Sequence, residues 1–154
     1  MKGSNLLFIA SWVILLVVSG AMVLLSASSL GIAYTGRPDS LTREYSLTQI
    51  GEQGGDQAVK AFRGRRATAA TFALGYGLLA LFVIWMPYRR GERWAWWALF
   101  ASLGISQLLS LARAIMLVTT VGTGTPAVIL AFLLLGLMAG APRMFSQHLS
   151  SNRS

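Results

Sequence analysis

Four long apolar runs alternate with polar segments along this chain, and this alternation is its strongest pattern. A run of about 20 apolar residues is long enough to cross the hydrocarbon core of a bilayer as a helix. The first run is too long for the apolar part of a secretory signal, so we interpret it as an uncleaved span. The pattern predicts one all-α domain, an integral membrane four-helix bundle covering residues 1–154. The predicted spans are approximately 5–30, 67–86, 94–118 and 127–143.

The connection between the first two spans, residues 34–66, is long and polar. It holds four of the five acidic residues of the chain. Pro38 suits the first turn of a short helix, and Gly54–Gly55 predicts a break before a second helical stretch. A connection of this length with helices of its own usually carries function. We therefore predict a partly helical polar loop that is suited to docking.

Aromatic residues cluster where the second span ends and the third begins, on either side of the basic turn "YRRGER". Tryptophan and tyrosine are enriched at the headgroup level of membranes. The cluster therefore predicts an interfacial aromatic belt, although tryptophans can also hold a ligand cation or a pigment. The belt residues are Trp85, Tyr88, Trp94, Trp96 and Trp97.

Composition supports the membrane interpretation and excludes several kinds of site. Hydrophobic residues make up 55% of the 154 residues and charged residues only 12%, with a formal net charge of +8. Basic residues collect at membrane ends, and no basic stripe is interleaved with stacking aromatics, so we predict no nucleic-acid partner. The chain has no cysteine and one histidine, His148. We therefore predict no metal site, no catalytic cluster and no resident cofactor, while a bound lipid, quinone or pigment stays open.

The positions of basic residues also predict an orientation. Four spans place both termini and the "YRRGER" turn on one side of the membrane. That turn is dense in arginine, whereas the connection "TTVGTGTP" between the third and fourth spans has none. Because basic residues favour the cytoplasmic side, both termini are predicted to be cytoplasmic. The 34–66 loop is also basic, so this prediction depends on the two shorter connections.

Small residues recur along three of the predicted spans. Helices in lipid pack closely where small side chains let their backbones approach. The third span has a small residue at every fourth position, the second span has a similar series, and the fourth span has a GxxxG pair. The predicted packing residues are Ala98, Ser102, Ser106, Ser110 and Ala114, then Ala69, Ala73 and Gly77, and finally Gly136 and Gly140.

Arg113 lies near the end of the third span, on one helical face with Ser106 and Ser110 and beside Gln107. A charge within a membrane span is a functional hypothesis by default. Three interpretations stay open. The guanidinium can clamp the polar loop through Glu52 or Asp56, it can extend to the lipid headgroups, or it can bind an anionic ligand or headgroup beside the neighbouring polar side chains.

Three stretches carry a resemblance to a known family: "FRGRRATAATFALGYGLLAL", "PYRRGERWAWWAL" and "LARAIMLVTTVGTGTP". Together they resemble a branch of unknown function within the DoxX-like superfamily of small four-span bacterial membrane proteins. The resemblance implies a four-span fold in a bacterial inner membrane. Some DoxX-like proteins are linked to quinone oxidoreductase complexes.

Three functional hypotheses follow. The first is a non-catalytic accessory or structural subunit of a larger membrane complex, with membrane lipids and other membrane subunits as partners. The second is a protein that binds a lipid, quinone or isoprenoid in a pocket near Arg113. The third is a small intramembrane enzyme that uses Glu52 or Asp56 as an acid or base.

Overall fold

The computed structural model describes residues 2–35, 47–116 and 123–146, and within these ranges the chain forms helices and no strand. α-Helices are interrupted at two places by a single turn of π-helix, in which backbone hydrogen bonds reach one residue further back. In chain order the elements are α1 (Lys2–Thr35), α2 (Leu47–Val83), π1 (Ile84–Tyr88), α3 (Arg93–Leu99), π2 (Phe100–Gly104), α4 (Ile105–Met116) and α5 (Gly124–Ser146).

Four helical stretches are long and apolar enough to cross a membrane, which confirms the all-α fold class and the prediction of a multi-pass membrane protein. They are Asn5–Thr35, Gly54–Tyr88, Arg93–Arg113 and Gly124–Phe145. The helices are longer than the predicted spans at most of their ends. The largest difference is in α2, which begins at Leu47 and so occupies the second half of the predicted polar loop. The predicted break in that loop is present, because Gly55 has φ 69° and interrupts the helix.

The chain divides into two compact units. The first, here called the four-helix unit, is drawn from residues 1–20 and 78–154 and so takes part of every span. Its core consists of large side chains with almost no exposed surface. These are Leu15 from α1, Ile84 and Tyr88 from π1, Leu99 and Leu103 from the third span, and Leu133, Leu137 and Met144 from α5.

The second unit, here called the two-helix unit, covers residues 21–77 and contains the end of α1 and most of α2. The two helices run antiparallel, since Arg63 of α2 contacts the C-terminal end of α1 and Arg66 contacts Ser29 one turn earlier. The Arg63 guanidinium donates from Nε to the Ala33 carbonyl at 2.8 Å and from Nη2 to the Tyr34 carbonyl at 2.6 Å. It thereby satisfies carbonyls that a helix end leaves without intrahelical partners.

Proline explains the π-turn at the end of the second span. Pro87 lacks an amide hydrogen, and its ring clashes with the carbonyl four residues earlier in a regular α-helix. In π1 the backbone widens by one residue, and the Arg89 amide donates to the Ile84 carbonyl at 3.3 Å. The chain then turns at Gly91, whose φ of 80° is a conformation that favours glycine. The short "YRRGER" turn therefore joins the second and third spans, and its backbone conformation is set by these hydrogen bonds and by Gly91.

Candidate functional site

The polar residues predicted around Arg113 fall into different parts of the structure. Arg113 is exposed in the last turn of α4, within the four-helix unit. Asp56 is exposed and belongs to the two-helix unit, while the side chain of Glu52 lies outside the described residues. The loop clamp between Arg113 and these carboxylates therefore stays a prediction.

The neighbours of Arg113 on the third span use their polar groups in different ways. The hydroxyls of Ser106 and Ser110 are half-buried and donate to carbonyls of their own helix, those of Leu103 and Ser106. Gln107 is only 9% exposed, and no described residue forms a hydrogen bond with its amide. Gln107 is thus the most buried polar residue of this set.

The predicted packing residues are placed as follows. In the second span Ala69 is exposed, Ala73 is half-buried and Gly77 is buried. In the third span Ala98 is half-buried and Ser102 is exposed, with its hydroxyl donating to the Ala98 carbonyl at 2.6 Å; the side chain of Ala114 lies outside the described residues. Buried positions of the third span lie on a neighbouring face: Ala95, Leu99, Leu103 and Gln107.

Gly136 and Gly140 of α5 are in close contact with α1 and π1. A Cβ at Gly136 would lie 2.9 Å from the Leu15 side chain, and one at Gly140 would overlap the hydroxyls of Tyr88 and Ser11. These two glycines therefore allow a close approach that a larger residue would prevent.

A buried pair of hydroxyls lies beside Gly136 and Gly140, and no pattern in the sequence predicted it. The Ser11 hydroxyl donates to the Gly136 carbonyl at 2.7 Å and lies 2.6 Å from the Tyr88 hydroxyl. Because Ser11 has one hydrogen and gives it to the carbonyl, Tyr88 is the donor in the second bond. Phe8 stacks on the Tyr88 ring with centroids 5.9 Å apart. Three spans are thus joined through two hydroxyls with no exposed surface.

The aromatic cluster separates into an exposed part and a buried part. Trp85, Trp94 and Trp97 are more than half exposed, which suits side chains at the headgroup level. Tyr88 is completely buried, with Phe8 stacked on its ring. The interfacial belt itself stays a prediction. Trp96 is half-buried and donates from Nε1 to the Leu137 carbonyl of α5 at 2.8 Å.

Four arginines gather at one end of the four-helix unit, and two of them have structural partners. Arg93 donates from Nε to the Met144 carbonyl at 2.8 Å. Arg143 lies over the Phe8 ring, 4.3 Å from its centroid, and donates to Asn5 Oδ1 at 3.3 Å. This group, with its aromatic neighbours, is here called the basic end. Its arginines are Arg89, Arg90, Arg93 and Arg143.

The other two arginines, Arg89 and Arg90, face outward. The Arg89 guanidinium lies between two tryptophan rings, 4.9 Å from the Trp12 centroid and 4.6 Å from the Trp85 centroid. A shallow, open depression is lined by Trp85, Met86, Arg89 and Arg90. The one carboxylate of this turn, Glu92, accepts a hydrogen bond from Trp94 Nε1 at 2.5 Å. The depression therefore presents positive charge beside apolar and aromatic surface.

This arrangement suits the binding of an anion. Guanidinium groups provide several donors in a plane that matches phosphate and carboxylate oxygens. Within the part of the chain that the structure describes, no group of three or more histidine, cysteine, aspartate or glutamate side chains could hold a metal ion. The exposed arginines of the basic end are a candidate site for an anionic group.

Comparison of this chain with models of protein families, with curated proteins and with solved structures gave no match.

Proposed function

We propose that this chain is a small, non-catalytic integral membrane protein that acts as an accessory or structural subunit of a larger membrane complex. The observation that carries the proposal is an exposed face of small residues on α2. A surface of this kind suits contact with a helix of another subunit. The resemblance to the DoxX-like superfamily agrees with this role and stays a prediction.

The small face of α2 consists of residues at helical spacing that no described side chain covers. Gly64, Thr68, Thr71 and Gly75 are all exposed, and a Cβ at either glycine would meet no described atom within 4 Å. Their spacing of four, three and four residues places them on one side of the helix. Small residues in this arrangement let a second helix approach closely in lipid, where hydrophobicity alone does not drive association.

The two threonines on the small face already have hydrogen-bond partners. Thr68 donates to the Gly64 carbonyl at 3.1 Å and Thr71 donates to the Ala67 carbonyl at 2.9 Å. The face therefore presents methyl groups and bare backbone, with no donor that needs a ligand. Such a surface favours van der Waals packing against another helix over recognition of a polar molecule.

The proposed site of action is a bacterial inner membrane, with both termini in the cytoplasm. Support comes from the arginines of the "YRRGER" turn, two of which are exposed beside tryptophans at the end of the second span. Anionic lipid headgroups and the positive-inside rule both favour the cytoplasmic side for such a turn.

Native mass spectrometry of the protein extracted from its own membrane in mild detergent tests the proposal. We expect co-purifying subunits at a fixed stoichiometry, and we expect Gly75→Leu to remove them because the added side chain prevents close helix contact. Leu135→Phe on α5 adds bulk at another exposed position and is the matched control. If the chain purifies alone, or if Gly75→Leu and Leu135→Phe behave alike, the proposal is wrong.

A second candidate function is the binding of a lipid, quinone or isoprenoid near Arg113. The low exposure of Gln107, 9%, favours it, because a carboxamide held inside a span can hydrogen-bond a ligand carbonyl where water is absent. In this case the purified chain carries a discrete small-molecule mass that Gln107→Leu removes. Ser110→Ala is the control, since that hydroxyl is already bonded within the helix.

A further inference from the structure

The arginines of the basic end differ in whether their guanidinium groups form hydrogen bonds with other described residues. Arg93 and Arg143 hold helices together through a carbonyl and a side-chain amide. Arg89 and Arg90 are exposed, and no described residue accepts a hydrogen bond from either guanidinium. Two exposed cations are thus adjacent in the chain, and their donors form no hydrogen bond with a described residue. Like charges placed together favour an anion between or beside them.

Arg89 is held in place without using its donors. Two indole rings, those of Trp12 and Trp85, flank its guanidinium at 4.9 and 4.6 Å. Stacking of this kind covers the faces of the planar group and leaves the hydrogens at its edges for a ligand. The side chain therefore loses little further conformational freedom when an anion binds.

The backbone that carries this pair is also fixed. The Gly91 amide donates to the Tyr88 carbonyl at 2.9 Å, and the Glu92 amide donates to the Pro87 carbonyl at 3.1 Å. Tyr88 is itself buried and bonded to Ser11. The arginines therefore follow directly from an anchored turn, and the site is preformed.

The neighbouring side chains favour a lipid over a free ion. Trp85 and Met86 are 58% and 44% exposed and line the same depression as the two arginines. They lie in the last turn of the second candidate span, where a helix leaves the hydrocarbon for the headgroups. One side of the depression is thus apolar and the other cationic. This combination matches the glycerol and phosphate regions of a phospholipid.

We propose that Arg89 and Arg90, with Trp85 and Met86, form a binding site for the phosphate of an anionic phospholipid. The Arg89 guanidinium, held between its two tryptophans, donates to the phosphate oxygens, and Arg90 adds the second positive charge. The apolar wall contacts the glycerol and upper acyl region. This site is separate from the small face of α2, so it does not depend on the accessory role proposed above.

Titration of the detergent-solubilised full chain with phosphatidylglycerol, followed by native mass spectrometry, tests the site. We expect saturable binding of one lipid that is about tenfold tighter than binding of phosphatidylcholine with the same acyl chains. The variant Arg90→Gln removes an exposed guanidinium that forms no hydrogen bond with a described residue, and Arg89→Gln removes the guanidinium that lies over two tryptophan rings. We expect each to weaken phosphatidylglycerol binding about fivefold to tenfold, with phosphatidylcholine binding unchanged.

The control is Arg65→Gln, which removes an equal charge from an exposed position of the two-helix unit. We expect it to leave phosphatidylglycerol binding unchanged. Equal losses in Arg65→Gln and Arg90→Gln would show that net charge alone attracts the lipid and would overturn the proposal. Displacement of the lipid by millimolar inorganic phosphate would also overturn it, because a free anion would then suffice. A melting temperature of Arg90→Gln equal to that of the parent chain excludes unfolding as the cause.

Discussion

The four-helix unit and the two-helix unit are each stabilised by a different kind of internal contact. In the four-helix unit, large side chains from every span are fully buried, and the two hydroxyls of Ser11 and Tyr88 join three spans in the interior. In the two-helix unit, the most buried apolar residues are Met22, Ala33 and Ala70, each with a few per cent of its surface exposed. There the described contacts between α1 and α2 include arginine bonds to the end of a helix.

The number of helices in a unit limits how many large side chains that unit can bury. In a pair of helices, each helix is covered on one side only, so few large side chains can be buried. Hydrogen bonds at the helix ends therefore contribute a larger share of the stability of the two-helix unit. Parts of four helices surround a shared interior, so close packing and internal hydrogen bonds become available. Substitutions in the four-helix unit should therefore cost more than matched ones in the two-helix unit.

The largest difference is expected for glycine substitutions. Gly140→Ala adds a methyl group where the hydroxyls of Tyr88 and Ser11 already lie, and overpacking of this kind costs about 1–3 kcal/mol. Gly31→Ala adds the same group to a helix of the two-helix unit where no described atom lies within 4 Å of it, and it should stabilise by about 0.5–1 kcal/mol. Unfolding in mixed micelles of increasing sodium dodecyl sulfate measures both. Equal effects at the two glycines would contradict the packing difference.

The next effect concerns serines inside the four-helix unit. Ser11→Ala removes the link between Tyr88 and Gly136 and leaves polar groups unpaired, which should cost about 1–2 kcal/mol. Ser19 is equally buried, but its hydroxyl has no hydrogen-bond partner among the described residues. Ser19→Ala should therefore be neutral or stabilising. The same unfolding titration compares them, and a larger loss for Ser19→Ala would contradict the role assigned to Ser11.

The smallest expected effect is in the two-helix unit. Arg63→Gln removes the bonds to the carbonyls of Ala33 and Tyr34, and because the site is partly exposed the loss should be about 0.5–1 kcal/mol. Hydrogen exchange should become faster in the last turn of α1 and stay unchanged in α5. Arg65→Gln, at an exposed neighbouring position, is the control. Faster exchange throughout α5 would show that the two units do not respond separately.

The pattern of apolar residues was enough to predict the class of this protein and its spans. Runs of apolar residues must form helices in lipid, because backbone groups there have to find their partners within the segment. This requirement is local, so four spans, the break at Gly55 and the basic turn after Pro87 could all be predicted. The place of that turn at the headgroup level stays a prediction from its arginines and tryptophans.

Residues of the same type have different roles in the folded chain, and these roles depend on contacts between spans. Tyr88 and Trp85 were both predicted to be interfacial aromatics. Tyr88 is buried and hydrogen-bonded to Ser11, whereas Trp85 is exposed and contacts the Arg89 guanidinium. Arg89 and Arg93 lie four residues apart, yet only Arg93 bonds to α5. These differences depend on residues 40 to 80 positions away in the chain. Periodicity cannot encode them, because pairing between spans is set by shape and by the glycines that allow close approach.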